Sequence, residues 1–506
     1  MSQTLLEQFT DIEKLRFWTT KLDDNDNLKD IKINQLHFCR FLSAGGFVRL
    51  EIAGTTTFAQ IINGNILRQV PIHAMQDYAF DWVNDLDPDY LDYYALTADL
   101  LNNKIITGVS TYFNERKLHY LKPEKEIVMN RDSYHAKFLY YQNGFVEVRE
   151  NGAELKPYTR LDGMIWENQI LNRSINLKQS IKNKNVQNFL WYVSTGGDAA
   201  LESRFFSLQT IAGYLLHDFY EYKLKLPLFT DSTVSEDNEA NGRTGKTLFN
   251  RLLSRMIADR VDDGMSKIFV EMPMKEFNTN EKHKYGRIGH DTKLVVYNDL
   301  KRNFDMDILY NNIVDGILVQ AMYQDPFMTM VKQAATTNKT VRIEGGSSRD
   351  RVVEFEFSDY FNENRTPEMV FKQWFFRDWS VSDWNDFDLT MIGCIRQFFA
   401  NKCTIAAPAQ INLNIRKLKE QTHPSFIDYV ETEWKPIPEQ KYYIKTHFDK
   451  FRDFEPELAE AKWFVQAKFT RWVQLYMNLT EQWKDYTKAT NKGRDRDGAY
   501  FLFFKN

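Results

Sequence analysis

The segment Ala240-Asn241-Gly242-Arg243-Thr244-Gly245-Lys246-Thr247 constrains this chain more than any other, because an apolar helix pattern begins directly behind it. Leu248, Phe249, Leu252, Leu253, Met256 and Ile257 recur at helical spacing, which predicts a helix with the loop at its N-terminus. Backbone N–H groups of a tight glycine-bearing loop in that position converge on phosphate oxygens. Gly242 supplies backbone freedom, and Thr244 and Gly245 complete the cradle. Lys246 adds a point charge beside the outer phosphates, and the Thr247 hydroxyl reaches Mg²⁺. The apolar run Leu226–Phe229 is a candidate strand in front of the loop, and the polar stretch Asp231–Glu239 lies between them, with Glu236, Asp237 and Glu239 expected to point away from phosphate. Ala240 stands where the full pattern asks for glycine, so the competing reading is a turn and helix cap that contains Gly-Lys-Thr.

Other segments complete a nucleotide constellation. Leu294-Val295-Val296-Tyr297 is an apolar strand ending in Asn298-Asp299, the place where a metal-bound water is held; Asn298 brings no charge, which leaves Asp299 as the acid. A plain Asx turn is the alternative there. A third strand, Met330–Thr336, leads to Thr337-Asn338, a polar tip suited to a γ-phosphate or the attacking water. Gly345-Gly346-Ser347-Ser348-Arg349-Asp350-Arg351 precedes the alternating strand Val352–Ser358. Arg349 and Arg351 suit a finger reaching a neighbouring copy's nucleotide, against the alternative of a surface loop with ordinary charges.

The 506 residues suggest roughly two to four domains at ~150 residues each. A net charge of −4 gives no global basic field, so a nucleic-acid surface has to be local. Cys39, Cys394 and Cys403 lack CxxC spacing, which argues against a zinc ribbon or a disulfide scaffold and fits a reducing cytoplasm. No long uncharged apolar run is present, so no membrane partner is expected. Residues 1–175 read as an α+β accessory domain. Phe38, Phe41 and Leu42 share a helix face, Phe47–Ile52 and Thr57–Ile62 read as paired strands, and a hairpin is signalled at Asn143-Gly144. The acids of Asp85–Asp89 read as a solvated loop rather than a metal cluster. Residues 176–225 read as helical, 226–405 as the nucleotide core and 406–506 as a smaller terminal unit.

With these segments in order, the chain resembles the superfamily-three helicases of phage, viral and mobile-element replication, in the branch related to the poxvirus primase-helicase. The segments that carry the resemblance are IAGYLLH at 211–217, ANGRTGKTLF, LVVYNDLKRNF, Thr336-Thr337-Asn338, GGSSRDR followed by VVEFEFS, and WNDFDLTMIGCIRQFF. The resemblance implies an α/β multidomain fold: an N-terminal α+β domain, a helical collar, an AAA+-like P-loop NTPase core and a C-terminal winged helix. It implies ATP and Mg²⁺ at Lys246 and Thr247, Asp299 as the acidic-strand residue, Asn338 as a sensor, and Arg351 with Arg349 as the finger. It also implies a hexameric ring that hydrolyses ATP while moving along single-stranded DNA. A pore hairpin is implied between Asp299 and Asn338; the segment Val319–Phe327 there has no Lys or Arg, the next being Lys332, and Tyr323 or Phe327 is left to stack on bases. No primase cluster is visible in the first region, so a separate primase is an expected partner.

At the C-terminus, Phe469, Trp472, Val473 and Tyr476 form one helix face with Lys468 and Arg471 on the other. Lys488, Lys492, Arg494 and Arg496 then crowd a loop before the apolar run Ala499–Phe504. Helix, basic hairpin and closing strand make a winged-helix pattern that suits double-stranded DNA; a helix on a hairpin with solvated charges is the alternative, because Asp495 and Asp497 offset the basic residues. The expectation is therefore a cytoplasmic, ATP-dependent DNA helicase. The alternative is a non-motor replication initiator or scaffold that uses nucleotide only to assemble.

Overall fold

Short alternating runs build the first third of the chain. A computed structural model describes residues 9–52, 55–122, 128–220, 224–232, 243–258, 268–275, 277–301, 304–321, 326–338, 350–412, 414, 417–418, 421–433, 440–479, 486–487, 492–502 and 504–505. β1 (Trp18–Leu22) and β2 (Leu28–Ile33) form an antiparallel hairpin. Helix α1 (Gln35–Ala44) starts at Asn34, whose side chain accepts from the Leu36 and His37 N–H groups, and buries Phe38, Phe41 and Leu42. β3 (Phe47–Ile52), β4 (Thr55–Ile62) and β5 (Ile66–Gln69) then make a meander, followed by α2 (Ile72–Asn84). In the Asp85–Asp89 loop, Asp87 caps the helix Pro88–Tyr93 by accepting from the Asp89 N–H.

β6 (Lys137–Tyr141), β7 (Gly144–Arg149) and β8 (Gly152–Lys156) form the next sheet. Its first turn passes through Gly144 at φ +140°, a conformation that side-chain-bearing residues rarely adopt. Two short parallel strands close this region: β9 (Ile165–Trp166) adds to β5, and β10 (Ile170–Leu171) adds to β6.

Helices α3 (Asn185–Thr195) and α4 (Glu202–Leu216) follow. Nearly every side of α4 is covered after its first two residues, with Arg204, Ser207 and Thr210 buried beside its apolar residues. It lies backbone-close to the later helix Val381–Ala400: a Cβ on Gly213 would stand 2.5 Å from Phe398 Cβ and 2.6 Å from the Cys394 carbonyl oxygen. Within α4, Arg204 is fully buried. Its Nε donates to the Ser194 carbonyl at 2.8 Å, and its other nitrogens donate to the Ala409 and Glu356 carbonyls. Burial lowers its pKa to about 10, with the Glu356 charge opposing the shift.

The central sheet is all parallel. β11 (Leu226–Asp231), β12 (Phe269–Pro273), β13 (Leu294–Asn298), β16 (Lys332–Thr336) and β17 (Val352–Phe357) lie in the order β12-β13-β16-β11-β17. Helix α5 (Lys246–Ile257) follows β11 and buries Phe249, Leu252, Leu253, Met256 and Ile257. Between β13 and β16 come α6 (Asp307–Asp315) and an antiparallel hairpin of β14 (Ile317–Val319) and β15 (Phe327–Thr329). After β17, helix α7 (Val381–Ala400) begins with a capping box between Ser380 and Asp383.

The N-terminal ends of β13 and β16 meet a buried ionic cluster. Lys137 pairs with Asp132 at 2.9 Å, and Lys293 pairs with Asp218 at 2.8 Å. The Lys332 ammonium lies 3.9 Å from the Tyr214 ring centre. Burial pushes Lys332 down to about 7, against the pull of the Asp218 and Asp132 charges. A folded-state pKa below the unfolded value means that unfolding takes up a proton between pH 7 and about 10. Stability contributed by this residue therefore rises with pH through that window, by at most about 1.4 kcal/mol per pH unit, and is flat below it. Lys332→Met is expected to flatten the rise; thermal melts at stepped pH check this, and an unchanged slope contradicts it.

The last unit contains α8 (Pro424–Glu433), β18 (Lys441–Tyr443), α9 (Ile444–Phe454) and α10 (Gln466–Leu479). β19 (Tyr486–Thr487), β20 (Lys492–Asp495), β21 (Gly498–Leu502) and β22 (Phe504–Lys505) complete it. β18, β21 and β20 form one antiparallel sheet, and β19 pairs with β22. Phe426, Phe451, Phe469, Trp472 and Tyr476 fill its core, so the apolar face of α10 points inward as its spacing requires. Among the described residues, no helix is long and apolar enough to cross a membrane.

Candidate functional site

Three strand ends converge at the carboxyl edge of the central sheet, the edge where open parallel sheets bind ligands. β11 ends at Asp231, β13 at Asn298 followed by Asp299, and β16 at Thr336 followed by Thr337 and Asn338. Hydrogen bonds tie the tips together. The Asp299 N–H donates to Thr336 Oγ1 at 3.0 Å, the Thr337 hydroxyl donates to the Leu300 carbonyl at 3.0 Å, and the Thr337 N–H donates to the Phe229 carbonyl at 3.0 Å. Asp299 takes φ +61°, a left-handed conformation that Asp tolerates better than most residues and that turns its side chain off the strand direction.

Helix α5 opens over this edge. Gly245 has φ +103°, and a Cβ there would press 3.0 Å from Val193 Cγ1 and 3.1 Å from Phe189 Cε2. Glycine is thus required twice, for the backbone angle and for close approach to α3. Lys246 is buried at the first helical position. Its ammonium donates to Asn338 Oδ1 at 2.7 Å and forms an ion pair with Asp231 Oδ1. Thr244 Oγ1 donates to the same Asp231 oxygen. One turn along α5, Asn250 Nδ2 stands 3.5 Å from Asn298 Oδ1. Thr247 is exposed and lines a cavity of about 380 Å³ together with Thr244, Gly245, Lys246, Asp299 and Asn338.

The structure therefore brings Thr244, Gly245, Lys246, Thr247, Asp299 and Asn338 to one cavity, and places Asn298 one hydrogen bond behind it. Gly242, Tyr323 and Arg349 lie outside the described residues. Arg351 is not brought to Lys246. Its carbonyl accepts from the Leu226 N–H at the start of β11, whereas Asp231 and Lys246 stand beyond the end of that strand. Five steps of roughly 3.3 Å put Arg351 on the order of 17 Å away within one chain.

Asp231 joins the site without being among the candidates read from the sequence. β11 runs on through Thr230 and Asp231, paired with β17, and the carboxylate is fully buried against Lys246. Its signal in the sequence is an acid two residues after the apolar run Leu226–Phe229. Glu236, Asp237 and Glu239 lie outside the described residues. Trp374, Phe375 and Phe376 also line the cavity, and no periodic signal in the sequence marks them.

In the C-terminal unit, Lys468 and Arg471 are exposed on α10, and the Lys468 ammonium lies 4.1 Å from the Trp463 ring centre. Arg494 and Arg496 are exposed at the β20–β21 turn, and Lys492 pairs through its backbone with Phe501. Asp495 is drawn off by Lys441 at 2.6 Å and the Tyr443 hydroxyl at 3.0 Å. Its charge is thus met from β18, on the far side of β21, rather than by the two arginines.

No family model and no curated protein matches the sequence. Among solved structures, the chain is similar to the A form apo structure of the NrS-1 C-terminal region CTR. That match has a TM-score of 0.36 and 11% identity, covering 93% of this chain and 100% of that one. A second form, CTR(305-718), gives a TM-score of 0.37 at 10% identity over 93% and 99%. Likeness at this level assigns neither fold nor activity.

Proposed function

We propose that the chain is an ATP-hydrolysing DNA helicase with an AAA+-like P-loop core and a C-terminal winged helix, acting in replication of a phage or mobile element. The observation that carries the reading is the convergence of Lys246, Asp299 and Asn338 on one cavity from a helix N-terminus and two strand ends. A triphosphate fits that place: backbone N–H groups of 244–247 cap the helix, Gly245 leaves room for close approach, and Lys246 supplies charge. Mg²⁺ is ordinarily held by one or two carboxylates together with substrate phosphates and water. Thr247 and Asp299 offer that kind of donor set, with Asn298 able to orient a bound water through Asn250. Asn338 Oδ1 is placed to sense the outer phosphate through the lysine it already holds.

The position of Arg351 supports a ring. Since it stands at the opposite edge of its own sheet, it completes a site only in a neighbouring copy, as a trans-acting finger does. The order α8-β18-α9-α10-β20-β21 supports a winged helix, with Lys468 and Arg471 on the helix and Arg494 and Arg496 on the wing facing phosphates, and Lys492 in the same wing strand. The β14–β15 hairpin, whose connecting sequence contains Tyr323, is the candidate contact for single-stranded DNA. A hexamer, and a separately encoded primase, follow from the same reading.

Steady-state ATP hydrolysis, measured with and without single-stranded DNA, tests this proposal. The expected result is Mg²⁺-dependent turnover that DNA raises several-fold. Asn298 and the Asp231 carboxylate beside Lys246 favour a second reading, a non-motor initiator that binds nucleotide to assemble. Nucleotide-dependent oligomers without DNA-stimulated turnover would select that one.

A further inference from the structure

The geometry points to a nucleobase shelf at Trp374: the cavity lined by the phosphate cradle is also lined by this indole, which would stack against the flat face of a purine. The inference rests on the triphosphate reading above and adds what the site holds beyond the phosphates. The segment after β17 is rich in aromatics, and its rings divide by direction. Phe375 packs on Phe371, Phe189 and Trp379 at 5.4, 5.9 and 5.3 Å between ring centres, and Phe376 packs on Trp379 at 4.7 Å. Trp374 does not join them and keeps 51% of its surface exposed. The loop that carries it is fixed by the Trp374 N–H donating to Asp378 Oδ2 at 2.8 Å and by Arg377 pairing with the same carboxylate at 2.9 Å. The Arg377 guanidinium lies 4.8 Å from the indole centre, an arrangement that strengthens a stacking platform for an electron-rich base.

Phe189 links shelf and cradle, because it packs beneath Gly245 and also touches Phe375. The spacing between Lys246 and Trp374 is therefore set by packed rings rather than by a loose loop. The indole itself reads the face of a base, and Gln373 adds no edge contact, while Glu368 and Arg251 also line the cavity. Gln373, the amide beside the indole, is already engaged: its Nε2 donates to Asp383 Oδ2 at 3.3 Å, and its Oε1 accepts from Asn183 and Asn185 at 3.3 and 3.1 Å. Stacking without edge contacts discriminates purine from pyrimidine by area, and adenine from guanine hardly at all.

Equilibrium binding of ATP, GTP, CTP and inorganic triphosphate to the full chain tests the shelf. The expected order is ATP and GTP within a few-fold of each other, then CTP, then inorganic triphosphate, with ATP about tenfold or more tighter than triphosphate. Trp374→Ala should bring ATP down to the level of triphosphate and leave triphosphate itself unchanged, while Trp374→Phe keeps most of the preference. A wild-type ATP-to-triphosphate ratio near one, or a ratio unmoved by Trp374→Ala, overturns the shelf. The phosphate reading is judged separately, since it requires that triphosphate binding be lost in Lys246→Met. Triphosphate bound equally by wild type and Lys246→Met removes both.

Discussion

Lys246→Met is expected to weaken ATP binding on the order of 100-fold and to destabilise the protein at the same time. The binding loss follows from removing a charged donor beside the phosphates, since charge-assisted hydrogen bonds contribute about 1.5–3 kcal/mol and each 1.4 kcal/mol is tenfold. The stability loss comes from Asp231, which has no surface exposure and loses its ionic partner. Breaking a buried pair from one side costs about 3–5 kcal/mol. The two effects separate in the double variant Asp231→Asn/Lys246→Met. Neutralising the carboxylate should restore most of the melting temperature, because the amide that replaces it can still accept from the Thr244 hydroxyl, while ATP binding stays lost. Calorimetric titration and thermal melts on the three proteins read this directly. Recovery of binding in the double variant would mean that Lys246 acts only by holding Asp231, and the phosphate role would fall.

The same ion pair shapes how the site meets its ligand. With Asp231 and Asn338 both on the ammonium, Lys246 is positioned but partly neutralised, so a triphosphate has to draw it away from a buried carboxylate. On the proposed reading, affinity would be lower than an open lysine gives, and the site would be ordered before ligand arrives. Here lies the physical content of the non-motor alternative: a lysine held this firmly, beside Asn298 in place of an acid, suits slow turnover.

Arg204→Met is expected to lower unfolding free energy by at least about 3 kcal/mol in urea titrations. Three carbonyls from separate segments, those of Ser194, Glu356 and Ala409, lose charged donors while remaining buried. The Glu356 carboxylate meanwhile holds the Ile411 N–H at 2.6 Å and the Asn412 N–H at 3.0 Å, so the strand β17, helix α4 and the 405–412 segment share one polar knot. Arg204→Lys should not rescue it, because a single ammonium lacks the planar fork that reaches separate acceptors. A loss below about 1 kcal/mol would show that these contacts are replaced by water.

Much of this architecture is legible in the chain, and the rest is hidden for definable reasons. Leu294–Tyr297 reads as a strand because its apolar run ends in turn residues, Val352–Phe357 because it alternates, and Phe469, Trp472, Val473 and Tyr476 give a helix face with one register. β16 begins at Lys332 rather than Met330, since Lys332 is buried as a partner of Tyr214, a tertiary contact that no local pattern announces. Arg204 looks like a solvated residue at the start of an apolar helix; only the segments crossing above it make it central. Asp231 misleads for a related reason. An acid near a phosphate loop suggests repulsion, yet burial beside Lys246 turns it into a clamp. Trp374 has no periodic partner at all, because it serves a cavity and not a core.

A structure determined with Mg²⁺ and a slowly hydrolysed ATP analogue decides whether this loop is a phosphate cradle. The expected result is phosphate oxygens on the backbone N–H groups of 244–247, with the Lys246 ammonium moved from Asp231 onto them and Asn338 within hydrogen-bond reach. Nucleotide bound elsewhere, or Lys246 still paired with Asp231 beside an ordered analogue, would contradict it.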